Sequence, residues 1–182
     1  PPLPLSITID AAQTGEPISK YVYGQFIEHL GRCIYGGIWA EMLQDRKFFD
    51  PVGKGESPWK AIGPDGAVSM VREGAFVGQH TPQIALPGGQ TCGIAQAGLG
   101  LIAGKAYGGR IWLAGSKDAG PVRVSLVWGD GPNDRQTVNI PQVADVFVKT
   151  PLEFTAGKTT DDGRLEITAA GRGRISAGTV SL

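Results

Sequence analysis

The sequence has no excess of charge of either sign and very few of the residues that usually ligate metals. Lysine and arginine together number 17, as do aspartate and glutamate, and the 182 residues include only two histidines and two cysteines. A chain without net charge offers no long-range field to a nucleic acid or an anionic membrane. Its apolar runs are far shorter than the ~20 residues of a membrane-spanning helix. We therefore expect neither nucleic acid nor membrane as a partner.

The two cysteines, Cys33 and Cys92, predict buried free thiols. Neither has a histidine or a second cysteine at the spacing that metal ligands require, so the sequence predicts no metal site and no cofactor. A structural calcium ion held by loop carboxylates and carbonyls would leave no short pattern, and this alternative stays open.

One stretch, residues 23–49, differs from the Gly-rich alternation that follows it, and reads YGQFIEHLGRCIYGGIWAEMLQDRKFF. Its first five residues form an apolar run that predicts a buried strand, which ends at Glu28. Three glycines then indicate a loop. From Ile38, apolar residues recur four apart, which predicts a helix of about three turns that stops before Pro51. Strand, loop and helix in this order form the unit of an α/β barrel, whose active site lies at the C-terminal strand ends.

The core of this stretch, FIEHLGRCIYGGI, resembles the opening of the catalytic barrel of the α-L-arabinofuranosidases of glycoside hydrolase family 51. The resemblance implies a retaining, exo-acting hydrolase that removes terminal α-L-arabinofuranosyl residues from arabinoxylan, arabinan or their oligosaccharides. It also implies that Glu28 is similar to an acid that hydrogen-bonds hydroxyls of the bound sugar. The family's nucleophile and acid/base lie on later barrel strands. Because a complete (β/α)8 barrel needs roughly 250 residues, we expect no catalytic residue in this chain and place the catalytic carboxylates on the C-terminal remainder of the same enzyme.

Glu28 and Trp39 are the candidate substrate contacts of the barrel stretch, and each has a plainer alternative. A carboxylate can accept hydrogen bonds from two sugar hydroxyls at once, and such charge-assisted bonds are strong. At a strand end, however, a carboxylate is often only a solvated or salt-bridged surface group. The ring of Trp39 suits the C–H face of a furanose, whereas a tryptophan on an amphipathic helix more often belongs to the core. The residues alone leave these alternatives open.

From Trp59 onward, short runs of alternating apolar and polar residues recur between turns rich in Gly, Pro and Asp. Runs of this kind are typical of an antiparallel sandwich of jelly-roll type. Residues 107–128 are similar to strands of carbohydrate-binding modules of the galactose-binding-like kind. The aromatic candidates for a glycan platform on this sandwich are Trp59, Phe76, Trp112 and Trp128. Of these, Trp112 is the preferred candidate because it points away from its apolar neighbours, whereas Trp128 shares a face with valines and is expected in the core.

The predicted fold is mainly β, a jelly-roll sandwich preceded by the first strand and helix of a (β/α)8 barrel. We assign residues 1–18 to an N-terminal strand that joins a β-sandwich, 19–50 to the first βα unit, 51–58 to a linker and 59–182 to the sandwich. In some family 51 enzymes such a module is inserted after the first βα unit. The chain is thus interpreted as the N-terminal part of an extracellular arabinofuranosidase, with an arabinose-containing plant polysaccharide or oligosaccharide as its partner. A non-catalytic carbohydrate-binding module and a packing domain that shapes the cleft are the alternatives.

Overall fold

The computed structural model describes residue 10, residues 12–19, residue 22 and residues 41–182. The chain divides into two compact units, residues 1–38 and 39–182. In the first unit, the Asp10 carboxylate accepts a hydrogen bond from the backbone N–H of Ala12 at 3.0 Å. Glu28, Cys33 and Trp39 lie outside the described residues, as do residues 1–9 and 11 of the segment assigned to the N-terminal strand and all of the predicted barrel strand, residues 23–27.

The second unit is a sandwich of two five-stranded sheets, which confirms the predicted mainly-β class. Every strand pairing is antiparallel. A short 3-10 helix, Lys117–Ala119, is the one helical element within residues 41–182. The strands, in chain order, are β1 (Trp59–Ile62), β2 (Val68–Val71), β3 (Thr81–Pro87), β4 (Cys92–Leu101), β5 (Ala106–Gly115), β6 (Val122–Val127), β7 (Arg135–Ile140), β8 (Val148–Thr155), β9 (Thr160–Ala169) and β10 (Arg172–Ser181).

The first sheet has the strand order β1-β4-β9-β6-β7, and the second has the order β2-β3-β10-β5-β8. Alternate residues of each strand face the other sheet because side chains on a strand point to opposite faces with a period of two. In the first sheet the register places Ile94, Ile167 and Val124 side by side, and all three are 0% exposed. In the second sheet, Ile84 and Ile175 form an equivalent buried pair. Burial of each such side chain contributes about 1.5–3 kcal/mol.

The prediction of a helix that stops before Pro51 is wrong over residues 41–50. These residues form turns and bends. The side chain of Asp45 accepts hydrogen bonds from the backbone N–H groups of Phe49 at 2.6 Å and Asp50 at 2.9 Å. Asp45 itself has φ 42°, in the left-handed region that ends a right-handed helix. The N–H and C=O of Gln44 are both bonded to the side chain of Gln96 on β4. Contacts with the sandwich thus replace the hydrogen bonds of a helix.

Residues 51–58 lie inside the second unit, since the division of the chain falls after residue 38. Val52 is 8% exposed and Ser57 is 2% exposed, so this segment packs against the sandwich. The Ser57 hydroxyl accepts a hydrogen bond from the backbone N–H of Trp59 at 3.3 Å. A segment with buried side chains and fixed backbone bonds does not have the properties of a flexible linker.

Candidate functional site

Three aromatic side chains meet on the outer face of the second sheet, on the side that points away from the core. Trp112 lies on β5 between the buried residues Ile111 and Leu113, so its ring points outward. The ring centroid of Phe76 is 5.2 Å from that of Trp112 and 4.8 Å from that of Phe147. All three rings are partly buried. We call these three residues the aromatic cluster.

The position of Phe76 is fixed by the loop between β2 and β3. Its backbone N–H donates a hydrogen bond to the hydroxyl of Thr81 at 2.9 Å. The ring then lies over Gly178 of β10, where an added Cβ would stand 2.5 Å from a ring carbon. The pairing of β10 with β5 shifts register between Ala177 and Thr179, which indicates a β-bulge. A glycine at the bulge therefore lets the ring of Phe76 rest directly on the backbone of the sheet.

Polar side chains surround the aromatic cluster on the same face. The register places Thr179 of β10 opposite Trp112 on one side and Lys149 of β8 opposite it on the other. Arg110 precedes Trp112 by two residues on β5 and therefore shares its face. Gln83 of β3 donates a hydrogen bond to Ser176 of β10 at 3.5 Å. Aromatic rings beside hydrogen-bonding groups are the chemical elements from which a carbohydrate site is built.

Glu41 joins the segment before β1 to the end of β10. Its carboxylate, 8% exposed, accepts hydrogen bonds from the Ser181 hydroxyl at 2.6 Å and from the backbone N–H groups of Leu182 at 3.0 Å and Leu43 at 3.1 Å. The N–H of Met42 donates to the carbonyl of Leu182 at 3.0 Å. The segment before β1 and the end of β10 therefore lie side by side. The guanidinium of Arg46 also pairs with this carboxylate, at 3.6 Å.

The outer face of the first sheet has a different character, since its strands place no aromatic side chain there. Glu166 pairs with Arg135 at 3.0 Å and with Arg164 at 2.7 Å. The hydrogen bond to Glu166 raises the pKa of the Arg164 guanidinium above its ordinary value. A group whose pKa is raised by folding stabilises the folded state below that pKa, so this contribution of Arg164 is lost as the pH rises into strong alkali. The outer face of the first sheet therefore carries ion pairs instead of aromatic rings.

Among the sequence-predicted aromatic candidates, Trp112 and Phe76 meet in the aromatic cluster, and two others are in the core. Trp59 is 0% exposed and its indole N–H donates to the carbonyl of Asp45 at 3.2 Å. Trp128 is 9% exposed, which confirms its predicted core position. Phe147 was missed because the alternation of this run predicts Val146 and Val148 as its apolar positions, whereas the structure leaves them 63% and 47% exposed. Its place depends on the β5–β8 register, which the sequence does not display.

Neither a metal site nor a membrane span is found in the part of the chain that the structure describes. Among residues 10, 12–19, 22 and 41–182, no three His, Cys, Asp or Glu side chains are grouped so that they could hold a metal ion. No helix among these residues has both the length and the apolar character needed to cross a bilayer. Cys92 is a buried free thiol, as predicted.

Comparison with known proteins relates the chain to part of two arabinofuranosidases, whereas no family model matches it. It is 29% identical over 170 residues to an extracellular exo-α-L-arabinofuranosidase of Streptomyces chartreusis, an alignment that covers 90% of this chain and 20% of that enzyme. It is 62% identical over 35 residues to an intracellular exo-α-L-arabinofuranosidase of Bacteroides ovatus, covering 19% of this chain and 7% of that enzyme. The chain thus spans about a fifth of the length of the Streptomyces relative and less of the other.

Solved structures with the same architecture include several carbohydrate-binding modules. The module TmCBM61, solved with β-1,4-galactotriose, has a TM-score of 0.55 at 20% identity, covering 78% of this chain and 96% of that module. The xylan-binding domain CBM22-1 of Xyn10C from Paenibacillus barcinonensis has a TM-score of 0.54 at 15% identity, covering 75% of this chain and 89% of that domain. The sandwich therefore has the jelly-roll fold of carbohydrate-binding modules, and the chain is distantly homologous to part of arabinofuranosidases.

Proposed function

We propose that this chain is part of a retaining, exo-acting α-L-arabinofuranosidase of glycoside hydrolase family 51, in which the sandwich binds arabinose-bearing plant polysaccharide. The observation that carries the binding role is the aromatic cluster on the outer face of the second sheet. Sugars present C–H faces that pack on aromatic rings, and their hydroxyls need polar partners beside those rings. Lys149 and Arg110 supply such partners beside Trp112.

The topology of the sandwich supports an inserted position within a larger enzyme. The segment before β1 and the end of β10 are hydrogen-bonded to each other through Glu41 and through the Met42–Leu182 backbone pair. A domain whose two connections lie close together can be inserted into another domain without separating the parts on either side. This arrangement is the one expected for a module that interrupts a barrel after its first βα unit.

In the proposed enzyme this chain supplies substrate contacts and the chemistry lies elsewhere. A retaining glycosidase needs two carboxyl groups about 5–5.5 Å apart, one as nucleophile and one as acid/base. Both are expected on later barrel strands, in the remainder of the enzyme. Glu28 is proposed to accept hydrogen bonds from arabinofuranose hydroxyls and Trp39 to line the cleft. The extracellular Streptomyces relative supports secretion, whereas the Bacteroides relative is intracellular.

An independent carbohydrate-binding module without catalysis is the second candidate, favoured by the fold shared with TmCBM61 and CBM22-1. Both candidates require glycan binding by the sandwich, and they differ in whether the chain works with a catalytic remainder. If a larger polypeptide travels with the chain in a native mass spectrum and separates on denaturation, the enzyme is favoured. A folded chain that is alone favours the binding module.

The glycan-binding role is tested by isothermal titration calorimetry with arabinoxylan and arabinan. We expect Trp112→Ala to weaken binding by about 1–3 kcal/mol, because its outward ring supplies stacking area. Arg123→Ala is the matched control, since Arg123 is exposed on the outer face of the first sheet and has no aromatic neighbour there. No binding by the unsubstituted chain would favour instead a packing domain that only shapes the rim of the cleft, and unchanged affinity in Trp112→Ala would remove Trp112 from the binding surface.

A further inference from the structure

Two cationic side chains flank the ring of Trp112. Lys149 lies directly opposite Trp112 on β8, where the Cβ atoms of paired residues are about 4.5–5.5 Å apart. Arg110 lies on β5 itself, two residues before Trp112, so the two positions are separated by about 7 Å along the strand. Both side chains are exposed. A sugar ring stacked on Trp112 would therefore have a positive charge on two sides.

Within residues 41–182, no acidic side chain forms an ion pair with either cation. In the described part of the chain, the ion pairs involve Arg46, Arg135 and Arg164, and no ion pair or side-chain hydrogen bond includes Arg110 or Lys149. Among strands β2, β3, β5, β8 and β10, the one acidic residue is Glu153. It lies opposite Gly108 and forms no ion pair with Arg110 or Lys149.

The arginines of the other face behave differently. Arg135 and Arg164 both bond to Glu166 and are held in place by it. Arg123 on β6 is exposed there without an ion pair, but that face has no aromatic ring for a sugar to stack on. Of the two outer faces, the one that contains Trp112 combines an aromatic ring for stacking with two cations, Arg110 and Lys149, that form no ion pair in the described part of the chain.

We propose that this surface selects plant polysaccharides that carry uronic acid carboxylates. The inference rests on the proposed glycan-binding function and names its ligand class. A carboxylate on a stacked sugar, or on its neighbour along the chain, pairs with the guanidinium of Arg110 or the ammonium of Lys149. Arginine binds a carboxylate through two parallel N–H groups, and lysine adds a point charge. A neutral sugar chain offers these two side chains only hydroxyls, so it gains no ion pair from either of them.

The experiment compares each acidic polymer with its own uncharged derivative. Glucuronoxylan and polygalacturonan are each titrated into the 182-residue chain beside the carboxyl-reduced form of the same polymer. We expect at least one acidic form to bind about three- to tenfold more tightly than its reduced form, the size set by two exposed charge contacts. This preference should shrink when ionic strength rises from about 0.02 M to about 0.3 M, since salt screens exposed charges.

The double variant Arg110→Ala with Lys149→Ala is expected to remove the preference for each acidic polymer over its reduced form and, because Trp112 is retained, to leave measurable binding of the reduced polymers. Arg123→Ala, which removes the same kind of charge from the other face, is expected to keep the preference. Equal affinity for every acidic polymer and its reduced form would overturn the uronic acid inference and leave the proposed glycan binding in place. Failure of the chain to bind any of these polymers, or the neutral arabinan and arabinoxylan, would overturn both.

Discussion

Gln96 is a polar side chain that replaces the hydrogen bonds of a missing helix. It is 2% exposed, yet its carboxamide oxygen accepts from the Gln44 N–H at 2.7 Å and its amide donates to the Gln44 carbonyl at 2.8 Å. A buried polar group is tolerated only when it is paired. The side chain and the backbone of Gln44 therefore satisfy each other, and neither can be removed without leaving a buried group unpaired.

We predict that Gln96→Leu lowers the free energy of unfolding by about 2–3 kcal/mol, because the N–H and C=O of Gln44 both lose their partner. Urea denaturation followed by tryptophan fluorescence measures the change. Gln136→Leu is the control, since Gln136 is exposed and accepts one hydrogen bond, from the N–H of Thr155 at 2.6 Å. Its expected loss is below about 1 kcal/mol. A loss at Gln96 no larger than the loss at Gln136 would contradict this role.

The segment 41–52 is the element in which sequence and structure differ most. Apolar residues four apart predicted a helix, but the same residues pack on the sandwich without one. Leu43 is 5% exposed, Phe48 is 0% exposed, and the rings of Phe48 and Trp59 are 5.1 Å apart. Phe48 has φ 57°, a conformation that a phenylalanine adopts only when its surroundings hold it there. Tertiary contacts thus override the helical spacing of the sequence.

We predict that Phe48→Ala costs about 3–5 kcal/mol of unfolding free energy, because it empties a site enclosed by Trp59 and the core. Phe49→Ala is the matched control, since the neighbouring ring is 77% exposed. Its cost should stay within about 0.5 kcal/mol. Thermal denaturation of both variants measures the two costs. Similar melting temperatures for Phe48→Ala and Phe49→Ala would show that residues 41–52 do not belong to the folded core.

The strands are more predictable than residues 41–52 because the alternation of apolar and polar residues that indicates a strand is a local pattern. Alternation on β5 and β6 correctly gave the outward position of Trp112 and the core position of Trp128. What the sequence did not reveal are the features set by distant partners. Three such features depend on residues far along the chain. They are the bulge at Gly178 on which Phe76 packs, the contact between Phe147 and Phe76, and the hydrogen bonds of the Glu41 carboxylate. Periodicity contains no information on such long-range contacts.

At the scale of the whole sandwich, the two outer faces differ in chemistry. The first sheet presents Glu166 with its two arginines, a set of groups that satisfy one another. The second presents Trp112 with Phe76 and Phe147. The central claim is that the second face binds the glycan and that the first is a structural surface.

The measurement that tests this claim most directly is a ¹H–¹⁵N NMR titration of the chain with arabinoxylan oligosaccharides. We predict chemical shift changes at the indole N–H of Trp112 and at backbone amides of β5, β8 and the end of β10, with the amides of β6 and β7 unchanged. Changes concentrated on β6, β7 and β9, or no changes at saturating oligosaccharide, would contradict the assignment of the second face as the carbohydrate-binding surface.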